Sequence, residues 1–212
     1  MQHGWWVILL IGGLIGMATP VSAQDANARF SALSKRFLDE YPALSPVNAT
    51  GLGDHRFDHL VDDISATARD NERAFAKRWL GELEEIDRSQ LNRDNQADHA
   101  LLTRKLQNDL WFLDELREWE WNPISYTQLV GGAIYSLMAR EFAPMEQRLK
   151  HVADRLDQFP RMYEQIRATL KPERVPAVHA ETAIKQNRGV LSTLDNMVRP
   201  ERMKLSETDR QR

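Results

Sequence analysis

Apolar side chains recur along most of the chain at the three- and four-residue spacing of amphipathic helices, and no segment alternates as a strand does. This pattern predicts an all-α fold, a multi-helix array of antiparallel helices with irregular connections. The first helix is predicted over residues 26–41, because Pro42 cannot continue it. One face of this helix collects Phe30, Leu33, Phe37 and Leu38.

Two long helices are predicted next, joined by a short polar link at residues 88–92. The first covers residues 65–86, and its apolar stripe contains Phe75, Trp79, Leu80, Leu83 and Ile86. The second begins at a cap formed by Asn92 or Asp94 and reaches Trp119. Its stripe contains Leu102, Leu106, Leu110, Leu113 and Leu116. Because the link is short, we expect the two helices to pack as an antiparallel pair.

Proline and glycine divide the rest of the chain. Residues 42–64 are predicted to be irregular, and Asn122-Pro123 marks a break, because the residue before a proline avoids helical angles. Gly131-Gly132 lies inside a later helix, where it would allow close packing or a bend. The later helices are predicted over residues 126–140, 144–159, 160–170 and 177–197.

The C-terminal residues have the pattern of a helix start. Pro200 is predicted to end the preceding helix, and Ser206 followed by Asp209 resembles a capping box. The chain stops at Arg212, within one turn, and a single turn is unstable because helix nucleation is costly. We therefore expect the helical array to be incomplete, cut where another helix begins. The alternative is an ordinary frayed and charged tail.

The N-terminal residues have the layout of a secretory signal peptide. An apolar run covers residues 7–18, and Val21-Ser22-Ala23 places small residues at the cleavage positions. Residues 1–23 are therefore predicted to be the signal peptide and residues 24–212 the mature helical region, periplasmic or secreted. Residues 1–6 contain no Lys or Arg, so an uncleaved membrane anchor is the competing interpretation, although the run is short for a span.

Composition excludes several kinds of site. The chain has 212 residues, a formal net charge of −3 and no cysteine. Without cysteine it has no disulfide, no thiol nucleophile, no thiolate zinc site and no lipid-modified cysteine. The charge provides no basic excess for nucleic acid, and no later apolar run approaches the length of the N-terminal one. We therefore expect no nucleic-acid partner and, after signal cleavage, no membrane contact.

One segment has a candidate metal-binding pattern. His55 and His59 are four residues apart, so on a helix they would share a face and could bind one divalent ion. Asp58 is the expected further ligand, with Asp54 and Asp62 as the alternatives. However, the metallopeptidase signature HExxH is absent, and Arg56 occupies the position of its general base. The alternative, which we favour, is a polar turn whose Asp and His side chains bind backbone groups.

Other polar and aromatic groups have equally simple structural interpretations. His179 and Glu181 are two residues apart and would point to different sides of a helix, which favours a helix-start hydrogen bond over catalysis. Trp119-Glu120-Trp121 is predicted to serve core packing or a docking surface. We therefore expect no complete catalytic site and no cofactor in this chain. A cleft could be lined by Tyr126, Tyr135 and Arg140.

Four short segments, in their order and spacing, carry a family likeness. They are FSALSKRF at residues 30–37, PVNATGLGDH at 46–55, REWEWNP at 117–123 and VHAETAI at 178–184. Together they resemble the start of the bacterial "domain of unknown function 885" family, over about residues 28–212. The resemblance implies a largely helical, exported or lipid-anchored protein that is much longer than this chain and similar to zinc-dependent peptidases.

In such proteins the metal motif, an HE-containing stretch with further histidines, lies in the C-terminal half, so none of its zinc ligands can be assigned to a residue here. The resemblance implies that this chain is the N-terminal, non-catalytic helical region of a larger peptidase-like domain, inactive alone, with zinc only in the full-length protein. Its expected partners are the C-terminal half of that domain, a peptide, or further copies of the chain, associating through exposed apolar helix faces.

Two other functions stay open. The chain could be a free-standing exported helical module that binds a peptide or a partner protein. It could also be a small metal-binding enzyme that uses His55 and His59.

Overall fold

The computed structural model describes residues 23–205 and 207, and regular structure in this part of the chain is helical, without strands. The predicted all-α fold is thus confirmed. Of the signal peptide predicted over residues 1–23, residues 1–22 lie outside the described residues, as does the helix start predicted at Ser206. Its α-helices are α1 (Ala23–Glu40), α2 (Pro46–Leu52), α3 (Ala66–Glu84), α4 (Arg93–Trp111), α5 (Pro123–Met138), α6 (Met145–Leu156), α7 (Phe159–Thr169), α8 (Ala177–Thr193) and α9 (Arg199–Arg202).

None of the described helices is both long enough and apolar enough to cross a membrane.

The first of two hydrophobic cores lies among α1, α3 and α4. Trp79 of α3 is fully buried, and Phe37 of α1 meets its ring edge-on with the ring centroids 5.4 Å apart. Two contacts at opposite ends of the pair show that α3 and α4 are antiparallel. His99 Nε2 lies 3.1 Å from Leu83 O at one end, and Arg73 donates to Asp114 at the other. The apolar stripe predicted for α3 is buried or half-buried in this core.

Side-chain caps fix the starts of α3, α4 and α5. Ser65, Asn92 and Asn122 each accept a hydrogen bond from a backbone N–H of the first turn. Such caps satisfy donors that the helix itself leaves unpaired. Asn122 is followed by Pro123 at the first helical position, where the missing N–H costs nothing. The predicted break at this point therefore marks the start of a helix.

The second core surrounds α5, which is the most apolar of the described helices. Val130, Ile134 and Leu137 of α5 are buried against Val152 of α6 and Met162 of α7. Helix α8 packs along α5, and a Cβ atom added at Gly131 would lie 3.3 Å from Val190 Cγ2. The glycine pair in α5 thus permits the close helix packing that its sequence indicated.

The structure corrects four local expectations. Leu38 is 67% exposed, because it lies off the buried face of α1. Residues 42–64 are not wholly irregular, since they contain α2. The helix predicted to reach Trp119 ends at Trp111 and passes into a π-helical turn. Pro200 does not end a helix. It lies in the first turn of α9, which follows a second π-helical turn at Leu194–Val198. In the first turn of a helix a proline loses no hydrogen bond, because the N–H there has no partner within the helix.

Candidate functional site

The connection between α4 and α5 departs from regular helix at two successive places. A π-helical turn covers Phe112–Leu116, and Arg117 then has φ 51° and ψ 44°. This left-handed conformation is uncommon for residues other than glycine, and Arg117 is the one such case in the described part of the chain. Both π-turns and left-handed non-glycine residues cluster at functional sites, which makes this connection a candidate.

Glu120, in the 3₁₀ turn that follows, is fully buried yet charged. Its carboxylate accepts a hydrogen bond from Lys171 Nζ at 2.7 Å and from the guanidinium groups of Arg117 and Arg174. Burial alone would raise the pKa of Glu120, but the Lys171 hydrogen bond and the charges of Arg117 and Arg174 outweigh it and lower the pKa below its usual value. The carboxylate therefore ties this connection to the segment after α7.

Trp119, the residue before Glu120, lines a cleft of about 320 Å³ beside α3 and the end of α4. The Arg69 guanidinium lies over the indole ring, with its Cζ 4.1 Å from the ring centroid, and the Arg117 Cζ lies 5.1 Å from it. The indole N–H donates to Leu113 O at 3.2 Å, which fixes the ring. We name this space the Trp119 cleft and define it by Arg69, Asp70, Arg73, Asp114, Arg117 and Trp119.

The three arginines of the Trp119 cleft differ in how far their charge is satisfied. Arg73 donates to Asp114 at 2.7 Å and to Asp70 at 2.6 Å, so both aspartates of the cleft are paired with it. Arg117 is paired with the buried Glu120. Arg69 donates to a backbone carbonyl, that of Ile64, at 2.7 Å, and among the described residues it has no hydrogen bond to a carboxylate. The chemistry of the cleft is therefore suited to an anionic group.

An acid with an unusual titration lies one turn after Arg69 on α3. Burial raises the pKa of Glu72 to about 7, and the charges of Asp62, Asp109 and Asp63 act in the same direction, against that of Arg69. Glu72 thus exchanges its proton near neutral pH, a property that occurs at functional sites and in structural charge clusters alike.

The three predicted metal ligands do not lie on one helical face. His55 belongs to a 3₁₀ turn and stacks on Phe142, with ring centroids 3.7 Å apart, while its Nδ1 lies 3.0 Å from Asp58 Oδ2. His59 instead lies near His151, with ring centroids 6.4 Å apart. Across the described residues, no group of three or more His, Asp or Glu side chains could hold a metal ion. A metal site there stays a prediction without geometric support, and the hydrogen bonds agree with the polar turn.

Asp58 belongs to a buried polar network centred on Arg155. The Asp58 carboxylate accepts from Thr50 Oγ1 at 2.6 Å, and Arg155 donates to Thr50 Oγ1 at 2.7 Å and to Ala133 O at 2.7 Å. Burial lowers the pKa of Arg155 to about 10, against the charges of Asp58 and Asp62. Because the network joins α2 and the segment after it to α5 and α6, we assign it a structural role.

The cleft proposed for Tyr126, Tyr135 and Arg140 does not form. Tyr126 is buried and donates to Trp119 O at 2.6 Å, whereas Tyr135, about 13 Å further along α5, is exposed. Arg140 donates to a backbone carbonyl of α2. His179, near the start of α8, lies against the ring of Trp121 with the ring centroids 5.6 Å apart.

Sequence reasoning singled out the Trp119-Glu120-Trp121 cluster but missed the cations around it. Arg69 and Arg73 have the spacing of an ordinary exposed helix face, and Lys171 and Arg174 lie more than fifty residues from Glu120 along the chain. One signal in the sequence could have pointed to these cations. The acid lies between two tryptophans at a helix end, and its apolar neighbours indicate that it is buried. Burial of that acid requires compensating cations.

A second feature is an apolar groove of about 640 Å³ between α6 and the last described residues. Leu149 and Val152 of its lining are buried in the second core, and Leu156, Val198 and Leu205 pack against that core and stay partly exposed. We name it the α6 groove. Its larger apolar lining residues are Pro144, Leu149, Val152, Leu156, Val198 and Leu205, and Glu146, Gln147, Lys150 and Arg202 also line it.

Comparisons with known proteins agree with the family likeness. The family described as "Bacterial protein of unknown function (DUF885)" matches residues 46–211. One solved structure, described as "a putative lipoprotein of unknown function from Shewanella oneidensis", superposes with a TM-score of 0.79 at 26% sequence identity. The superposition covers 86% of this chain and 33% of that chain, so this chain spans about a third of the length of its structural neighbour. A comparison with curated proteins finds no match.

Proposed function

Because the chain belongs to the bacterial DUF885 family of unknown function, we propose that it is the N-terminal, non-catalytic helical region of an exported protein that resembles zinc-dependent peptidases. The observation that carries this proposal is the structural match, in which nearly the whole chain corresponds to a third of a longer protein. A region of this kind supports and flanks a site that other parts of the domain supply. Zinc would then bind outside these residues, and the chain would be inactive alone.

The partner in this proposal is the remainder of the same family domain. Leu156, Val198 and Leu205 of the α6 groove are partly exposed, and further large apolar side chains are exposed on α4 and α8. Contiguous apolar surface of this kind is typical of an interface. The groove would be covered by the remainder of the domain, and in its absence by a second copy of the chain.

The experiment compares association in solution. We expect the purified chain to self-associate in sedimentation velocity, and Leu205→Asp to reduce self-association because it places a charge in the α6 groove. Leu38→Asp is the matched control, since Leu38 is 67% exposed on α1 and does not line the groove. A strictly monomeric chain with a cooperative melt would contradict the proposal.

Export is part of the proposal and has its own test. The structural neighbour described as "a putative lipoprotein" is compatible with an exported protein. When the chain is expressed in a bacterium with its own N-terminal residues, N-terminal sequencing of the periplasmic fraction should find Gln24 as the first residue. Recovery of intact Met1 in the membrane fraction would favour the uncleaved anchor instead.

The second candidate function is a free-standing exported module that binds a peptide or a protein. The Trp119 cleft favours it, because the cleft is built from residues of this chain alone. The sedimentation experiment separates the two functions, since a free-standing module would be monomeric.

A further inference from the structure

We propose that the Trp119 cleft binds an organic carboxylate attached to an apolar group, which is the chemistry of a peptide C-terminus. This inference goes beyond the proposed function and does not depend on it, because the cleft residues all belong to the described chain.

Arg69 supplies the primary carboxylate contact. A guanidinium can donate five hydrogen bonds in a planar fork, and a carboxylate can accept two of them side by side. Among the described residues, Arg69 makes one side-chain hydrogen bond, from Nη1 to Ile64 O at 2.7 Å. This bond and the 4.1 Å stacking on Trp119 hold the guanidinium in place, while its other N–H groups make no hydrogen bond within the described chain. An oriented arginine loses little side-chain freedom on binding.

The balance of charges in the cleft suits a singly charged ligand. Arg73 is bound by both aspartates of the cleft, and Arg117 is paired with the buried Glu120. Arg69 is thus the one arginine of the lining that has no hydrogen-bonded carboxylate among the described residues. A phosphate, with nearly two negative charges, would leave an excess of negative charge against Asp70 and Asp114. The same two aspartates can accept from backbone N–H groups of a peptide that enters the cleft by its C-terminal end.

The indole ring provides the apolar half of the site. Trp119 is half-buried, and its N–H is occupied by Leu113 O, so its contribution to the cleft is its ring surface. A cleft of about 320 Å³ is near the lower limit of small-ligand pockets, and it would admit one terminal residue rather than a long segment. We therefore expect a preference for an apolar or aromatic C-terminal side chain.

The connection that carries the site is held before any ligand binds. Glu120, next to Trp119, is buried and bound by Lys171 and Arg174 from a distant segment, and Tyr126 donates to Trp119 O at 2.6 Å. A backbone fixed on both sides reduces the entropic cost of binding. This also accounts for the left-handed Arg117, whose strain is offset by its ion pair with Glu120.

The test uses calorimetric titration of the purified 212-residue chain with four probes. These are N-acetyl-alanyl-phenylalanine, its C-terminal amide, free phenylalanine and inorganic phosphate. We expect the acid to bind at least about tenfold more tightly than the amide, because the amide removes a charge-assisted hydrogen bond. Equal binding of acid and amide, or no binding of the acid, would overturn the proposal. Tighter binding of phosphate would indicate a general anion site, and tighter binding of phenylalanine a free amino acid site; either result also overturns it.

Two variants locate the binding. Arg69→Gln removes the charge from the cleft, and it should weaken binding of the acid by at least about tenfold while leaving the weak binding of the amide unchanged. Arg36→Gln is the matched control, because Arg36 also lies over a tryptophan, with its Cζ 5.3 Å from the Trp79 ring, but outside the cleft. Full affinity in Arg69→Gln, or equal losses in both variants, would contradict the assignment. Should Arg69→Gln fail to fold, the comparison of acid with amide on the unchanged chain still decides.

Discussion

Lys171 donates two hydrogen bonds to Glu120, one from its backbone N–H to the Glu120 carbonyl at 2.8 Å and one from Nζ to the carboxylate at 2.7 Å. The two residues are fifty-one positions apart in the chain. Through this pair, the turn after α7 fixes the connection between α4 and α5, on which Trp119 and Arg117 lie. The pair therefore sets the geometry of the Trp119 cleft from outside it.

The first prediction concerns the Glu120 carboxylate. Glu120→Gln keeps the shape of the side chain but leaves three cations without their anion, so we expect unfolding to become easier by about 1–3 kcal/mol. The loss is limited because the cations are partly exposed, and water can replace the carboxylate around them. Urea unfolding followed by circular dichroism measures the change.

The matched control for that variant is Glu82→Gln, which breaks the exposed ion pair of Glu82 with Arg36. Exposed pairs contribute little, so a change within about 0.5 kcal/mol is expected. Because the folded pKa of Glu120 is lowered, its contribution is present above the unfolded pKa and is lost as the pH falls through the folded pKa. The difference between Glu120→Gln and the unchanged chain should therefore shrink in acid. A constant difference down to pH 2 would contradict this origin.

The second prediction concerns Glu72, whose pKa is shifted in the direction opposite to that of Glu120. Its folded pKa is raised to about 7, so folding favours the protonated acid; its contribution is fully present below the unfolded pKa and is lost as the pH rises towards 7. Glu72→Gln imitates the protonated form. We expect it to increase the stability of the protein at pH 8 and to reduce the loss of stability between about pH 4.5 and 7. Melting temperatures across this range measure the effect.

The exposed Glu85 provides the comparison for Glu72, since Glu85→Gln should leave the pH profile unchanged. A loss of stability in Glu72→Gln at pH 8 would mean that the fold favours the charged form of Glu72, which would contradict the prediction.

The third prediction concerns Arg155, which is fully buried. Arg155→Leu removes the cation but leaves the buried Asp58 with Thr50 and His55 as its remaining partners, so we expect a loss of about 3–5 kcal/mol. Arg167→Leu, on the exposed side of α7, should change stability by no more than about 0.5 kcal/mol. A loss below 1 kcal/mol in Arg155→Leu would mean that the network is not a principal link between α2 and the second core.

The helices could be predicted from the sequence because burial follows their spacing directly. In α3 and the turn that follows it, the stripe from Phe75 to Ile86 recurs at helical spacing and forms one wall of the first core. The prediction that Leu38 lies on the buried face was wrong. Leu38 is adjacent to Phe37, and two neighbouring positions cannot both lie at the centre of a narrow helix face.

The candidate site could be predicted only in part, because its cations come from distant segments. Local spacing identifies Trp119 and Trp121 as a cluster, but nothing local connects Glu120 with Lys171 or Arg174. The local spacing of His55 and His59 likewise does not determine their surroundings. The spacing suggested one shared helix face, whereas the chain forms a 3₁₀ turn and His59 lies beside His151 instead.

The last prediction separates the two neighbouring glycines of α5. A helix-interior glycine is less favourable than alanine, so Gly132→Ala should stabilise the protein by about 0.5–1 kcal/mol, because its new Cβ would lie 3.5 Å from Val47 Cγ1, an ordinary contact. Gly131→Ala should stabilise less or destabilise, because its Cβ would lie 3.3 Å from Val190 Cγ2, and the Val190 side chain would have to give by a few tenths of an ångström. Urea unfolding of both variants measures the difference, and each serves as the control for the other. Equal stabilisation by both would mean that α8 moves freely along α5, which would contradict the close packing of the two helices.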